Sequence, residues 1–212
     1  MLARVEAHIQ CTLVRIGNAL HRQTTGIPQG SILSTLLCNL VLADAERTYL
    51  SIDEDEDCLL RFTDDFLYVS PSYQRAYDVC QALHRGFPQH GCRIAPEKSL
   101  VNFDACLPTG HVVRRLAPHT PFPWCGICID PTTLAIQPDT QRYPRHMGDT
   151  LTVRAAGLTS MLVHAMHPRA AAVYTDTHLN TPYGVYTNLL EGFVFAAAKL
   201  RVCLLYTSPS PR

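Results

Sequence analysis

Asp64 and Asp65 stand side by side between two short apolar runs, Leu59-Leu60-Arg61-Phe62 and Phe66-Leu67-Tyr68-Val69. Aromatic and aliphatic runs around the polar triplet Thr63-Asp64-Asp65 predict a β-hairpin with the aspartates at its apex. Neighbouring carboxylates repel one another, and desolvating them without a cation is costly. Mg²⁺ meets that need, because it favours one or two carboxylates completed by phosphate oxygens and water. The chemistry of such a centre is phosphoryl transfer, with an attacking hydroxyl activated and a leaving oxygen stabilised. An exposed Asp-Asp turn that holds no metal is the plain alternative.

Other reactive groups are less suggestive. Cys125-Gly-Ile-Cys128 has a CxxC spacing, but a structural zinc site needs four ligands. No second CxxC follows, and His111 and His119 stand apart from any ligand spacing. On a strand the two cysteines would also face opposite sides. The block Asp53-Glu54-Asp55-Glu56-Asp57 imitates the opening of a calcium loop, yet Cys58 replaces the required glycine and Asp64 the bidentate glutamate. It reads as a solvated connector. The ten histidines form no HExxH or similar cluster.

The elements around these residues follow from apolar spacing. Leu2, Val5, Ile9, Leu13 and Ile16 form a helical stripe, broken by Gly17-Asn18, with a short strand expected within 19–25. Gly26-Ile27-Pro28-Gln29-Gly30-Ser31 forces a defined loop. A helix from Ser31 to Leu50 follows, with Ser31 or Ser34 as N-cap, so the loop delivers backbone amides to a helix start. Ser72 to Arg85 reads as a helix, 92–103 as a turn entering a strand, and 124–136 as a hairpin split near Asp130-Pro131. Strand signals fade from about Gln141, and helices are expected near 148–166 and 183–202. The fold class is α+β followed by a helical part, with the change of texture near 137–143.

Composition sets outer bounds. The chain has 212 residues, 47% hydrophobic and 17% charged, which supports a buried core and excludes a broadly disordered or collagen-like chain. Lys plus Arg and Asp plus Glu number 18 each, giving zero formal charge. Nucleic-acid binding must therefore rest on local patches. No apolar run is long enough for a membrane span. Nine unpatterned cysteines read as reduced, intracellular and mostly buried.

Taken in order, Gly26-Ile-Pro-Gln-Gly-Ser31 with Ile32-Leu-Ser-Thr-Leu-Leu-Cys-Asn39, then Phe62-Thr-Asp-Asp65, resembles motifs B and C of the reverse-transcriptase palm. Gly91-Cys92, Lys98 with Val101-Asn102-Phe103, and Phe122-Pro-Trp-Cys-Gly126 continue the series as motifs D and E. The wording is similar to the telomerase reverse transcriptase family, over about residues 13–140. The resemblance implies a partial palm at 1–138 and the start of a helical thumb at 139–202. It implies Asp64 and Asp65 as Mg²⁺ ligands, and Lys98 as the proton donor to leaving pyrophosphate, with a solvated surface lysine as the alternative. Gln29, Gly30 and Ser31 would lie by the incoming nucleotide and template. Trp124, Cys125 and Gly126 would form the primer grip, positioning a strand without reading its sequence. Implied partners are telomerase RNA, the telomeric single-stranded DNA 3′ end and deoxynucleoside triphosphates, in the nucleus at the telomere.

Two departures stand beside the resemblance. The family's motif A aspartate should precede the loop at Gly26, whereas the first aspartate here is Asp44. The expectation is a fragment, inactive alone, beginning at an internal methionine or an artificial start. Cys203-Leu-Leu-Tyr-Thr-Ser-Pro-Ser-Pro-Arg212 reads as a translated sequencing-library transposase adapter, so 203–212 is expected to be non-native. Competing readings are a retroelement or intron-type reverse transcriptase, and a non-catalytic nucleic-acid-binding remnant.

Overall fold

The computed structural model describes residues 2–27, 30–140 and 172–207. The chain divides into two compact units, residues 1–99 with 105–113, and residues 100–104 with 114–212. The change of texture near 137–143 falls within the second.

In the first unit, α1 (Leu2–Gln10) is followed by β1 (Leu13–Ile16) and β2 (Ala19–Arg22), an antiparallel pair. The helical stripe expected through Ile16 therefore ends early. Thr12, Val14 and Ile16 suit a strand, and Gly17-Asn18 forms the two-residue loop that pairs Ile16 with Ala19. Helix α2 (Ile32–Tyr49) is capped by Ser31, whose hydroxyl accepts the Leu33 N–H. Strands β3 (Cys58–Phe62) and β4 (Asp65–Val69) form the expected hairpin, and α3 (Tyr73–Arg85) is capped by Ser72.

The core of this unit gathers Leu42, Ala45 and Leu50 with Val79 of α3 and Phe87, against Leu59, Phe66 and Tyr68 of the hairpin. Phe87 stacks on Tyr49 at 5.3 Å and meets Phe66 edge-on at 6.3 Å. The buried face of α2 is thus Leu42 and Ala45 with Cys38 and Tyr49 beside them, while Ile32, Leu36 and Leu40 are exposed.

The acidic block before β3 is more than a solvated connector. Asp57 is fully shielded from solvent, covered by its own partners near the surface. It accepts Tyr68 Oη at 2.5 Å and Arg75 Nε at 3.1 Å, and Arg75 also reaches Glu56 at 2.6 Å. These bonds tie 53–57, β4 and α3 together.

In the second unit, β5 (Leu100–Val101) and β6 (Arg114–Arg115) pair in parallel. Strands β7 (Phe122–Trp124), β8 (Ile127–Ile129) and β9 (Ile136–Pro138) make an antiparallel meander. The hairpin expected around Asp130-Pro131 is β8–β9; the preceding strand β7 is an addition. Helices α4 (Ala172–Thr175) and α5 (Pro182–Thr207) follow. Two buried asparagines fasten them to β9: Asn180 Oδ1 accepts the Ile136 N–H, and Asn188 Nδ2 donates to the carbonyls of Ile136 and Tyr174.

Helix α5 continues past Val202 to Thr207, beyond the change in composition. Cys203 to Tyr206 include no proline or glycine, so the change in composition does not interrupt the helix. The helix expected at 148–166 lies outside the described residues. None of the eight described cysteines is buried, contrary to the expectation from composition. Cys38 and Cys92 pack against the first unit's core from half-buried positions, whereas Cys11, Cys58, Cys106 and Cys125 are exposed.

Candidate active site

Phe62 pairs with Asp65, so Thr63 and Asp64 alone make the hairpin turn. Thr63 has φ +60°, while Asp64 is not in the left-handed region. Positive φ at only the first loop residue is the pattern of a type II′ turn, which glycine favours there. A β-branched residue in this region is strained by about 1–3 kcal/mol. Both Asp64 and Asp65 are solvent-exposed. Water therefore screens their repulsion, and the desolvation argument for a bound cation does not apply to them. Accessible carboxylates at a turn are nevertheless suited to an incoming cation.

What holds this turn is Arg61. It occupies the inward position of β3 with its side chain 13% exposed, and it forms an ion pair with Glu46 of α2. Arg61 Nη1 donates to Asn39 Oδ1 at 2.7 Å and to the Thr63 carbonyl at 2.9 Å. The guanidinium also lies 6.0 Å from the centre of the Phe66 ring. One side chain thus couples the strained turn residue to two positions on α2. None of Arg61, Asn39 and Glu46 emerged as a site residue from sequence, although Arg61 is the sole charge in Cys58–Phe62. That isolation was the available signal.

At the other end of α2, Gly30 has φ +82°. Beyond its chain neighbours, a Cβ there would meet no atom of the described residues within 4 Å. Ser31 Oγ is engaged by the Leu33 N–H at 3.2 Å and by His8 Nε2 at 2.7 Å. Its evident work is capping and docking α1. Asn39 lies about 12 Å farther along the helix from Ser31, at 1.5 Å per residue. Gln29 lies outside the described residues. Lys98 is exposed at the end of a short 3-10 turn, Pro96–Lys98. Among the described residues, no hydrogen bond or ion pair joins it to Asp64.

The residues of the second unit form their own feature. Trp124 pairs with Ile127, leaving Cys125-Gly126 as a two-residue turn with φ +47° and +89°. Positive φ at both residues is a type I′ hairpin turn, for which Gly126 is suited. The Gly126 carbonyl accepts the Asp139 N–H at 3.0 Å. Trp124 Nε1 is buried with no hydrogen-bond partner among the described residues. Cys125 is in a turn, so the expectation that it and Cys128 occupy opposite faces of one strand does not hold. Among the described residues, no cluster of three or more His, Cys, Asp or Glu side chains exists to bind a metal.

A Ser31-capped helix beside a hairpin with paired aspartates at its tip sits in a mixed α+β fold. The model of the family "Reverse transcriptase (RNA-dependent DNA polymerase)" matches residues 4–129, and the chain belongs to that family. It is similar to telomerase reverse transcriptases of mammals, fish and plants. It is 33% identical to that of Bos taurus over 205 residues, covering 93% of this chain and 18% of the relative. The match to Canis lupus familiaris is 34% over 202 residues, covering 91% and 18%, and that to Oryza sativa subsp. japonica is 32% over 212 residues, covering 90% and 17%. The chain therefore spans about a fifth of the length of these relatives.

Proposed function

We propose that this chain is part of an RNA-directed DNA polymerase of the telomerase kind, comprising palm residues 1–138 and the start of a helical thumb at 139–202. The intact enzyme would extend chromosome 3′ ends in the nucleus, at the telomere, by copying telomerase RNA. Its other partners would be the telomeric single-stranded DNA 3′ end and deoxynucleoside triphosphates. The observation that carries this reading is the exposed Asp64-Asp65 pair on a turn clamped to α2, in a chain related to telomerase reverse transcriptases along most of its length. Among the described residues, no helix is long and apolar enough to cross a membrane.

The donor set fits Mg²⁺, which accepts one or two carboxylates and completes its shell with water and phosphate. Asp64 and Asp65 would hold it, and when bound it supplies neutralisation of charge on the phosphate oxygens. In the transfer, the primer 3′-oxygen would bond to the α-phosphorus as the bond to pyrophosphate breaks, and the hydroxyl proton would pass to solvent water. Lys98 would donate a proton to the leaving pyrophosphate as general acid. The backbone at Gly30, with Gln29 and Ser31, would approach the nucleotide and template. Trp124, Cys125 and Gly126 would hold the primer end on their rigid turn.

The 212-residue chain by itself is expected to be inactive, since a third carboxylate does not join Asp64 and Asp65 among the described residues. The test is primer extension by the full-length protein against its Asp64→Ala variant. Loss of a metal ligand should lower the rate by about a thousand-fold or more. Equal extension by the two proteins overturns the assignment and favours a non-catalytic nucleic-acid-binding remnant.

A further inference from the structure

We propose that Arg61 is a positioning residue that fixes the turn bearing Asp64. This inference deepens, and rests on, the polymerase reading of that turn.

The geometry separates two tasks within one guanidinium. Pairing with Glu46 and Asn39 holds β3 against α2. The bond from Nη1 to the Thr63 carbonyl at 2.9 Å adds nothing to that docking, because its acceptor belongs to the turn itself. It restrains the one residue of the hairpin with positive φ, and that residue immediately precedes Asp64. Without the bond, Thr63 has reason to relax toward negative φ, and relaxation there reorients Asp64. With side-chain exposures of 13% and 20% for Arg61 and Glu46, water competes weakly for these bonds.

Arginine is needed for this arrangement. Its planar fork presents donors in fixed directions, so Glu46, Asn39 and Thr63 are reached together. A lysine keeps the charge opposite Glu46 but has a single nitrogen to divide among the three.

The test compares wild type with Arg61→Lys and Arg61→Gln. Amide hydrogen exchange in the 212-residue chain reads the turn directly. Arg61→Lys should speed exchange across 63–66 by about ten-fold while protection of 42–50 is unchanged, the signature of local opening. In full-length protein the same variant should lower kcat for primer extension about 10- to 100-fold. KM for the nucleotide should stay within about two-fold, because the loss is felt in the transition state. Unchanged exchange at the turn, or loss of the fold in both variants, overturns the proposal, since Arg61 would then be structural glue alone. Asp64→Ala is run in parallel. If that variant extends primers normally, the polymerase reading fails, while the exchange result still decides whether Arg61 holds the turn.

Discussion

Tyr68 Oη donates to Asp57 Oδ2 at 2.5 Å, joining strand β4 to the acidic segment that precedes β3. Desolvation acts to raise the Asp57 pKa, but hydrogen bonds from Tyr68, Ser70, the Asp53 backbone N–H and Arg75 outweigh it, and the value falls from 3.8 to about 2. Burial and the same bond push Tyr68 up from 10.0 to about 12.

The sign of each effect follows from linkage. A depressed carboxyl contributes stability that is present above its unfolded pKa and is lost as pH falls through the folded one. Urea midpoints of this chain should therefore drop between about pH 4 and about pH 2. The raised phenol contributes stability below pH 10.0, lost as pH rises through about 12. Tyr68→Phe should flatten both limbs; an unaltered acid limb in that variant would show that the bond does not set the Asp57 titration.

Asp64 is exposed, so its role is separable from folding. Asp64→Asn should shift the unfolding free energy of this chain by no more than about 0.5 kcal/mol, the usual range for surface positions. The same substitution in the full-length polymerase should suppress extension. A large loss of stability instead would mean that the carboxylate supports the hairpin.

Strain at Thr63 makes a prediction of the opposite sign. Glycine at this position relieves about 1–3 kcal/mol of backbone strain. It adds about 0.5–1 kcal/mol of unfolded-state entropy. Thr63→Gly should therefore raise the denaturation midpoint, by about 1 kcal/mol in free energy. A lowered midpoint would argue that Thr63 does not hold positive φ in solution.

In the second unit, Asn188 is buried and donates to the Ile136 and Tyr174 carbonyls at 2.9 and 3.0 Å. Asn188→Ala leaves both acceptors without that donor, at a cost of about 1–3 kcal/mol. Chemical denaturation measures this directly, and Asn188→Asp should be no better, because a carboxylate cannot donate.

Much of the local structure was legible in the residues. Ser31 and Ser72 cap helices where a hydroxyl precedes an apolar run, and the β3–β4 hairpin follows from two short apolar runs around Thr63-Asp64-Asp65. Leu13–Ile16 fits a helix by its apolar residues three and four apart, yet Gly17-Asn18 turns it into a hairpin strand. Cys125-Gly126 hid a turn, since a cysteine at positive φ has no strong propensity signal. Asp57 looks solvated within its acidic block because its partners Tyr68 and Arg75 lie 11 and 18 residues away.

The order of motifs, the family and the identity of the paired aspartates are legible without coordinates, because these depend on residue type and spacing along the chain. Folding settles the rest: Asp64 and Asp65 are exposed, Thr63 is strained, and Arg61 bridges the turn to Asn39 and Glu46. Those partners stand 22 and 15 residues from Arg61. Bonds over such separations form only once packing has docked a strand on a helix, and no local pattern encodes that docking.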